Sequence, residues 1–149
     1  MSDNVKFDPE KIKMLDFKLI KGQIDMPEEF DSAAIMDYDV ENSLQMSFNL
    51  EQKLLKIDFH FTVKSISGEG NSVESTGQYH LVYIYHVSNM EELTRQEENK
   101  LLEIDSYLAT AISAISFSTS RGILLTRMQG TAFQNFILPV VDPVKLLRS

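Results

Sequence analysis

Three histidines and a scatter of carboxylates are the residues that could do chemistry in this chain of 149 residues, which has no cysteine. Metal binding or general acid–base work would fall to them. His80 and His86 share one strand-like run but stand roughly 20 Å apart along it, too far to share an ion. His60 alternates with apolar neighbours and reads as a solvent-face strand residue, so no metal ligand is expected. Asp37, Asp39 and Glu41 alternate as calcium-loop ligands do, yet no glycine turn and closing glutamate follow at the required spacing. They read as a solvated strand edge. SGEG at 67–70 is a short polar turn, a weak phosphate signal. Without cysteine there is no thiol nucleophile, CxxC zinc site or disulfide framework. The phosphate-cradling GxGxxG and GxxxxGK[ST], the nucleophile elbow GxSxG and the zinc pair HExxH are all missing. Nothing in the sequence argues for an enzyme or for a cofactor.

Charge narrows the partners. Fourteen basic against twenty-two acidic residues give a net charge of −8, a field that repels phosphate backbones and anionic lipid, so nucleic acid is not an expected partner. The polar N-terminus, MSDNVKFDPEK, has no apolar signal-peptide core, and no stretch approaches the roughly 20 apolar residues of a membrane span. A cytoplasmic protein without stable membrane insertion is expected. The length suits one domain over 1–149, with 43% hydrophobic residues available for its core.

The elements that must position these residues begin as strands. Residues 12–25 alternate Leu15, Phe17 and Leu19, and Pro27 closes the run. SLQMSFNL (43–50) puts Leu44, Met46, Phe48 and Leu50 opposite Ser43, Gln45, Ser47 and Asn49. LLKIDFHFTVKSI repeats the period with Leu55, Ile57, Phe59, Phe61 and Val63, and residues 51–53 are short enough to join the two as a hairpin. After the loop at 67–76, GQYHLVYIYHVSN (77–89) is apolar or aromatic on both faces and should be covered on both, by a second layer or another subunit.

From about residue 89 the period becomes helical. Ser88 with Glu91, or Thr94 with Glu97, has capping-box spacing. Leu101, Ile104, Leu108, Ala111, Ile112 and Ile115 form a stripe, while Ala109, Ser113 and Ala114 would permit close contact across a subunit interface. SFSTSRG is a weak helix former, which predicts a kink or break over 116–122. Gly130 is placed for a C-terminal cap, and Asp142 with Pro143 starts a short last helix. Strands followed by helices make an α+β fold: a four-stranded antiparallel sheet with a long C-terminal helix and a short final helix packed on one face.

The chain ends in GTAFQNFILPVVDPVKLL (130–147), an apolar segment that two prolines keep irregular. Here the sequence resembles the SecB export-chaperone family. ISFSTSR (115–121) is similar to the family's I-L-F-P-Y-A-R, keeping Ile115, Phe117 and Arg121 in place. Gly130 and Thr131 match the Gly-Thr that ends the family's helix, and Ile137, Leu138, Pro139 and Val140 look like the L-x-P-V that follows. Val144, Leu146 and Leu147 stand where the family has its D-A-L-[FY] helix. Ser118 and Thr119 depart from the pattern, as does Phe133, one place late for Gly-x-Phe-Pro. The order of elements matches over nearly the whole chain, the motifs over 115–147.

The resemblance implies an ATP-independent holdase that binds unfolded or precursor polypeptides in apolar grooves, a homotetramer built as a dimer of dimers, and a role in protein export. Of the carboxylates through which the family engages the export motor, Asp25 is the counterpart here. The residues suit a groove in their own right, because a surface that accepts many sequences needs methionine and aromatic side chains that repack. Met46, Phe48, Phe133, Phe136 and Ile137 are the groove candidates, followed by Tyr79, Leu81 and Tyr83. For Met46 and Phe48 core packing is the stronger reading, and for Phe133 and Phe136 the irregular segment favours the groove. Three other readings stay open: a SecB-like chaperone dedicated to another client such as a toxin–antitoxin pair, a small-molecule or lipid-binding module with a pocket between helix and sheet, and an oligomeric scaffold without a client.

Overall fold

The computed structural model describes residues 7–68, 72–96 and 102–148. Four long strands form its sheet: β1 (Ile12–Asp25), β2 (Ile35–Asn49), β3 (Leu54–Ser67) and β4 (Ser72–Val87). A small hairpin follows, β5 (Thr94–Gln96) with β6 (Leu102–Ile104), and then the helix α1 (Ser106–Arg127) and a two-residue strand β7 (Leu147–Arg148). The sheet order is β1-β4-β3-β2-β7, antiparallel throughout except for β7, which lies parallel to β2 at Leu44 and Gln45.

Alternation explains the sheet. Leu55, Ile57, Phe59, Phe61 and Val63 on β3 and Tyr79, Leu81, Tyr83, Tyr85 and Val87 on β4 are all buried on one face, as a period of two requires of a sheet covered on one side. The β2–β3 hairpin closes where expected: Asn49 accepts from the Gln52 N–H at 3.0 Å, and Lys53 turns the chain at φ 58°. Two strands, β2 and β4, run further than their apolar runs suggest. β2 begins at Ile35 and β4 at Ser72, because backbone pairing continues where side chains no longer alternate cleanly. In β1 register shifts fall at Leu15 and Ile20, so Leu15 leaves the expected Phe17 and Leu19 row and is 52% exposed.

The helix differs from expectation at its start, in its middle and along its face. It begins at Ser106, where Asp105 caps it by accepting from the N–H groups of Tyr107 and Leu108 at 3.0 and 3.2 Å. That doubly bonded cap prevails over the earlier capping-box spacings. Met90–Glu92 is a 3-10 turn, Ile104 belongs to a strand, and Glu97 and Leu101 lie outside the described residues. No break interrupts residues 116–122. The buried row is Leu108, Ile112, Phe117 and Leu124, while Ile115 is exposed.

Uninterrupted, α1 is long and apolar enough by length and composition to cross a bilayer, contrary to the expectation that no stretch approaches the roughly 20 apolar residues of a span. Its apolar row nevertheless packs on the sheet: Phe117 meets Phe59 edge to face at 5.9 Å between centroids. The expected last helix is a 3-10 turn, Pro143–Leu146, capped by Asp142. On the sheet's other face no helix packs among the described residues. There Val82 is buried by its neighbours and Ile84 half-buried, so the second cover expected for β4 is not supplied within the described chain.

Candidate functional site

The segment after the helix is built turn by turn. Met128 caps α1, and Gly130 takes φ +80°, a left-handed position that glycine adopts without strain. The Thr131 hydroxyl donates to the Met128 carbonyl at 2.7 Å and accepts from the Phe133 N–H at 3.1 Å. A further turn links the Phe136 N–H to the Phe133 carbonyl at 2.9 Å. Two successive turns drop both phenylalanines onto the sheet.

Their seats are specific. Phe136 lies 5.2 Å from Tyr38 and 5.9 Å from Phe61, centroid to centroid. Phe133 packs over Gly77, where an added Cβ would come within 3.6 Å of its ring and 3.1 Å of Val63 Cγ1. Arg121 then holds the segment's exit: its Nε donates to the Leu138 carbonyl at 2.8 Å and a terminal nitrogen to that of Pro139 at 3.2 Å. The same guanidinium lies 5.3 Å from the Phe117 ring centroid.

The eight groove candidates therefore part into three groups. Leu81, Tyr83 and Phe133 are fully buried, and Tyr79 and Phe136 nearly so. The segment is irregular, as its prolines require, but its phenylalanines turn inward instead of lining open surface. Met46 and Phe48 are half-buried against the core, and Ile137 is 61% exposed. The sequence reasoning missed Val140, 88% exposed and beside Val141. Proline spacing marks the segment as irregular but not which of its apolar residues face out. A second exposed apolar strip runs along β1, an edge strand, through Met14, Leu15, Phe17 and Ile20. Asp25 closes that strand, exposed and accepting from Gln23 Nε2 at 2.7 Å.

Between helix and sheet the space is filled. Two tyrosines on β4 reach serines on α1: Tyr83 to Ser120 at 2.7 Å and Tyr85 to Ser116 at 2.8 Å. Burial pushes the Tyr83 hydroxyl up to about 12, against the opposing pull of the Ser120 hydrogen bond. Tyr85, Tyr38 and Tyr79 are raised for the same first reason. A pocket for a compact ligand in that interior, as the small-molecule reading requires, is thus occupied by side chains. A cavity of about 520 Å³ lies on the other face, at Val40, Glu41, Asn42, Ser43, His60 and Thr62.

On that outer face the antiparallel register sets His60 directly opposite His80. The rings stack with centroids 4.1 Å apart, and His80 Nε2 is 2.7 Å from Asp58 Oδ1. Burial lowers the His60 pKa, as does the neighbouring His80, while Asp58 works against both. The pairing of His60 with His80 is invisible to spacing along a single strand.

No protein-family profile and no curated protein sequence matches the chain. Among solved structures it is similar to the SecB-like chaperone Rv1957 of Mycobacterium tuberculosis, solved in complex with a ChAD peptide from the HigA1 antitoxin. The TM-score is 0.64 at 12% sequence identity, over 89% of this chain and 91% of that one.

Proposed function

The chain has the SecB-like fold, and from that premise we propose that it is a polypeptide-binding chaperone that works without nucleotide. The observation that carries this reading is the shared fold of a chaperone solved with a bound peptide, together with two apolar strips left exposed on the surface. On this reading an unfolded segment lies along Ile137, Val140 and Val141, and extended client backbone is accepted by the free edge of β1. Met46 and Phe48 contribute half-open apolar surface, and Tyr79, Leu81, Tyr83, Phe133 and Phe136 supply the floor against which the segment after α1 packs. The chain acts as one domain and assembles as a homo-oligomer, a dimer of dimers.

Export of precursors through Asp25 and the translocation motor is one use of such a chaperone. The antitoxin peptide on the neighbour favours a second, in which one dedicated partner is held until it folds.

An aggregation assay tests the proposal. A chemically unfolded protein is diluted into buffer without ATP, with and without this protein at about one assembly per client. Suppressed light scattering, lost in a folded Ile137→Ser/Val140→Ser variant, is the expected result. No suppression by a well-folded oligomer sinks the general holdase and leaves the dedicated-partner reading, which a co-expressed antitoxin would then test.

A further inference from the structure

We propose that Asp58, His60 and His80 form a binding site for a divalent transition-metal ion of the zinc class on the outer face of the sheet. Each offers one ligand atom, and the three atoms lie within 4.8 Å of one another. Tetrahedral zinc with bonds near 2.0–2.1 Å sets its ligands roughly 3.3 Å apart, so side-chain rotations that move each atom by about 1 Å bring the set to bonding distance. Two imidazoles and a carboxylate leave one position open, as in sites that keep a water or an exchangeable ligand. His60 also lines the cavity of about 520 Å³ formed with Glu41, Ser43 and Thr62, which gives that position room.

Two features of the fold make the set more than a surface coincidence. All three residues stand on β3 and β4, paired strands inside the sheet, so the backbone that carries them is fixed by ladders on both sides. Two of the three side chains are also partly withdrawn from water, with 17% exposure at Asp58 and 24% at His80, while His60 is exposed and open to an arriving ion. Without metal, Asp58 is held by His80 on one oxygen and by Lys56, 3.6 Å away, on the other. An entering cation takes over the carboxylate from a lysine that is itself half-exposed and free to swing out.

The site stands independently of polypeptide binding. The test is calorimetric titration of the full chain with Zn2+ alone, alongside His60→Gln, His80→Gln, Asp58→Asn and His86→Gln. One ion per chain is expected, with affinity reduced at least about 100-fold in the first three variants and unchanged in His86→Gln. Uptake that the His60→Gln and His80→Gln changes leave intact would overturn the site. Should a variant fail to fold, ring NMR signals of the wild-type protein decide instead: zinc must shift those of His60 and His80 and spare His86, and uniform or absent shifts reject the proposal.

Discussion

Arg121 on the helix donates to the carbonyl of Leu138, 2.8 Å away, joining two stretches of sequence that each carry part of the SecB resemblance. The match at 115–121 and the match at 137–140 are thus two sides of one contact. Replacing Arg121 with Ala removes that bond, the one to Pro139 and the stack on Phe117. A loss of roughly 1.5–3 kcal/mol is expected in denaturant unfolding. Amide exchange should quicken over 131–141 more than in β3. Arg121→Lys should recover only part, since an ammonium cannot reproduce the planar fork.

Tyr83→Phe and Ser120→Ala each strip one partner from a buried hydroxyl pair. Ser120→Ala should cost about 1–3 kcal/mol, because the buried Tyr83 hydroxyl loses this bond, and Tyr83→Phe should cost less, because Ser120 Oγ still donates to the Ser116 carbonyl at 2.8 Å. The double variant should be less destabilised than the sum of the two. A double-mutant cycle by urea unfolding reads the coupling, and strict additivity would contradict it.

Alkaline pH acts on the same pair. The folded-state value of Tyr83 lies near 12, above the ordinary tyrosine value of about 10. Between these values the unfolded chain has released the proton and the folded chain keeps it, so stability falls as pH rises through that window. The difference is worth roughly 3 kcal/mol. Thermal unfolding followed from pH 9 to 12 should show the decline, shallower in Tyr83→Phe.

Gly77→Ala places a methyl 3.1 Å from Val63 Cγ1 and 3.6 Å from the Phe133 ring. Overpacking by about 1–3 kcal/mol is expected. The near-ultraviolet signal of the aromatic cluster should change while the sheet signal persists. Phe133→Ala, by contrast, opens a cavity and should cost about 3–5 kcal/mol. The proposed client binding is therefore better probed at exposed Ile137 and Val140, where changes to Ser should alter stability by no more than about 0.5 kcal/mol.

What the residues reveal depends on whether their partners are near in sequence. The strict alternation of 43–50 and 54–66 makes β2 and β3 readable, with the turn between them. Ser116 and Ser120 mislead, because weak propensity predicts a break and the tyrosines that bind those serines lie more than thirty residues earlier. The same holds for Phe133 and Phe136, whose burial is decided by Gly77, Tyr38 and Phe61. The prolines around them report only that the backbone is irregular. His60 and His80 are single, unremarkable strand residues until the register sets them face to face.

The pairing of Ile12 with Val87 also orders events on the ribosome. β1 is synthesised first, yet its neighbour β4 is completed about 75 residues later, an interval of roughly 4–15 s at ordinary elongation rates. During that time its apolar edge has no native partner. Once β4 has paired, the sheet's aromatic face still waits for α1, which is made after all four long strands. The nascent chain thus passes through a stage in which its own half-built sheet is exposed to misassociation.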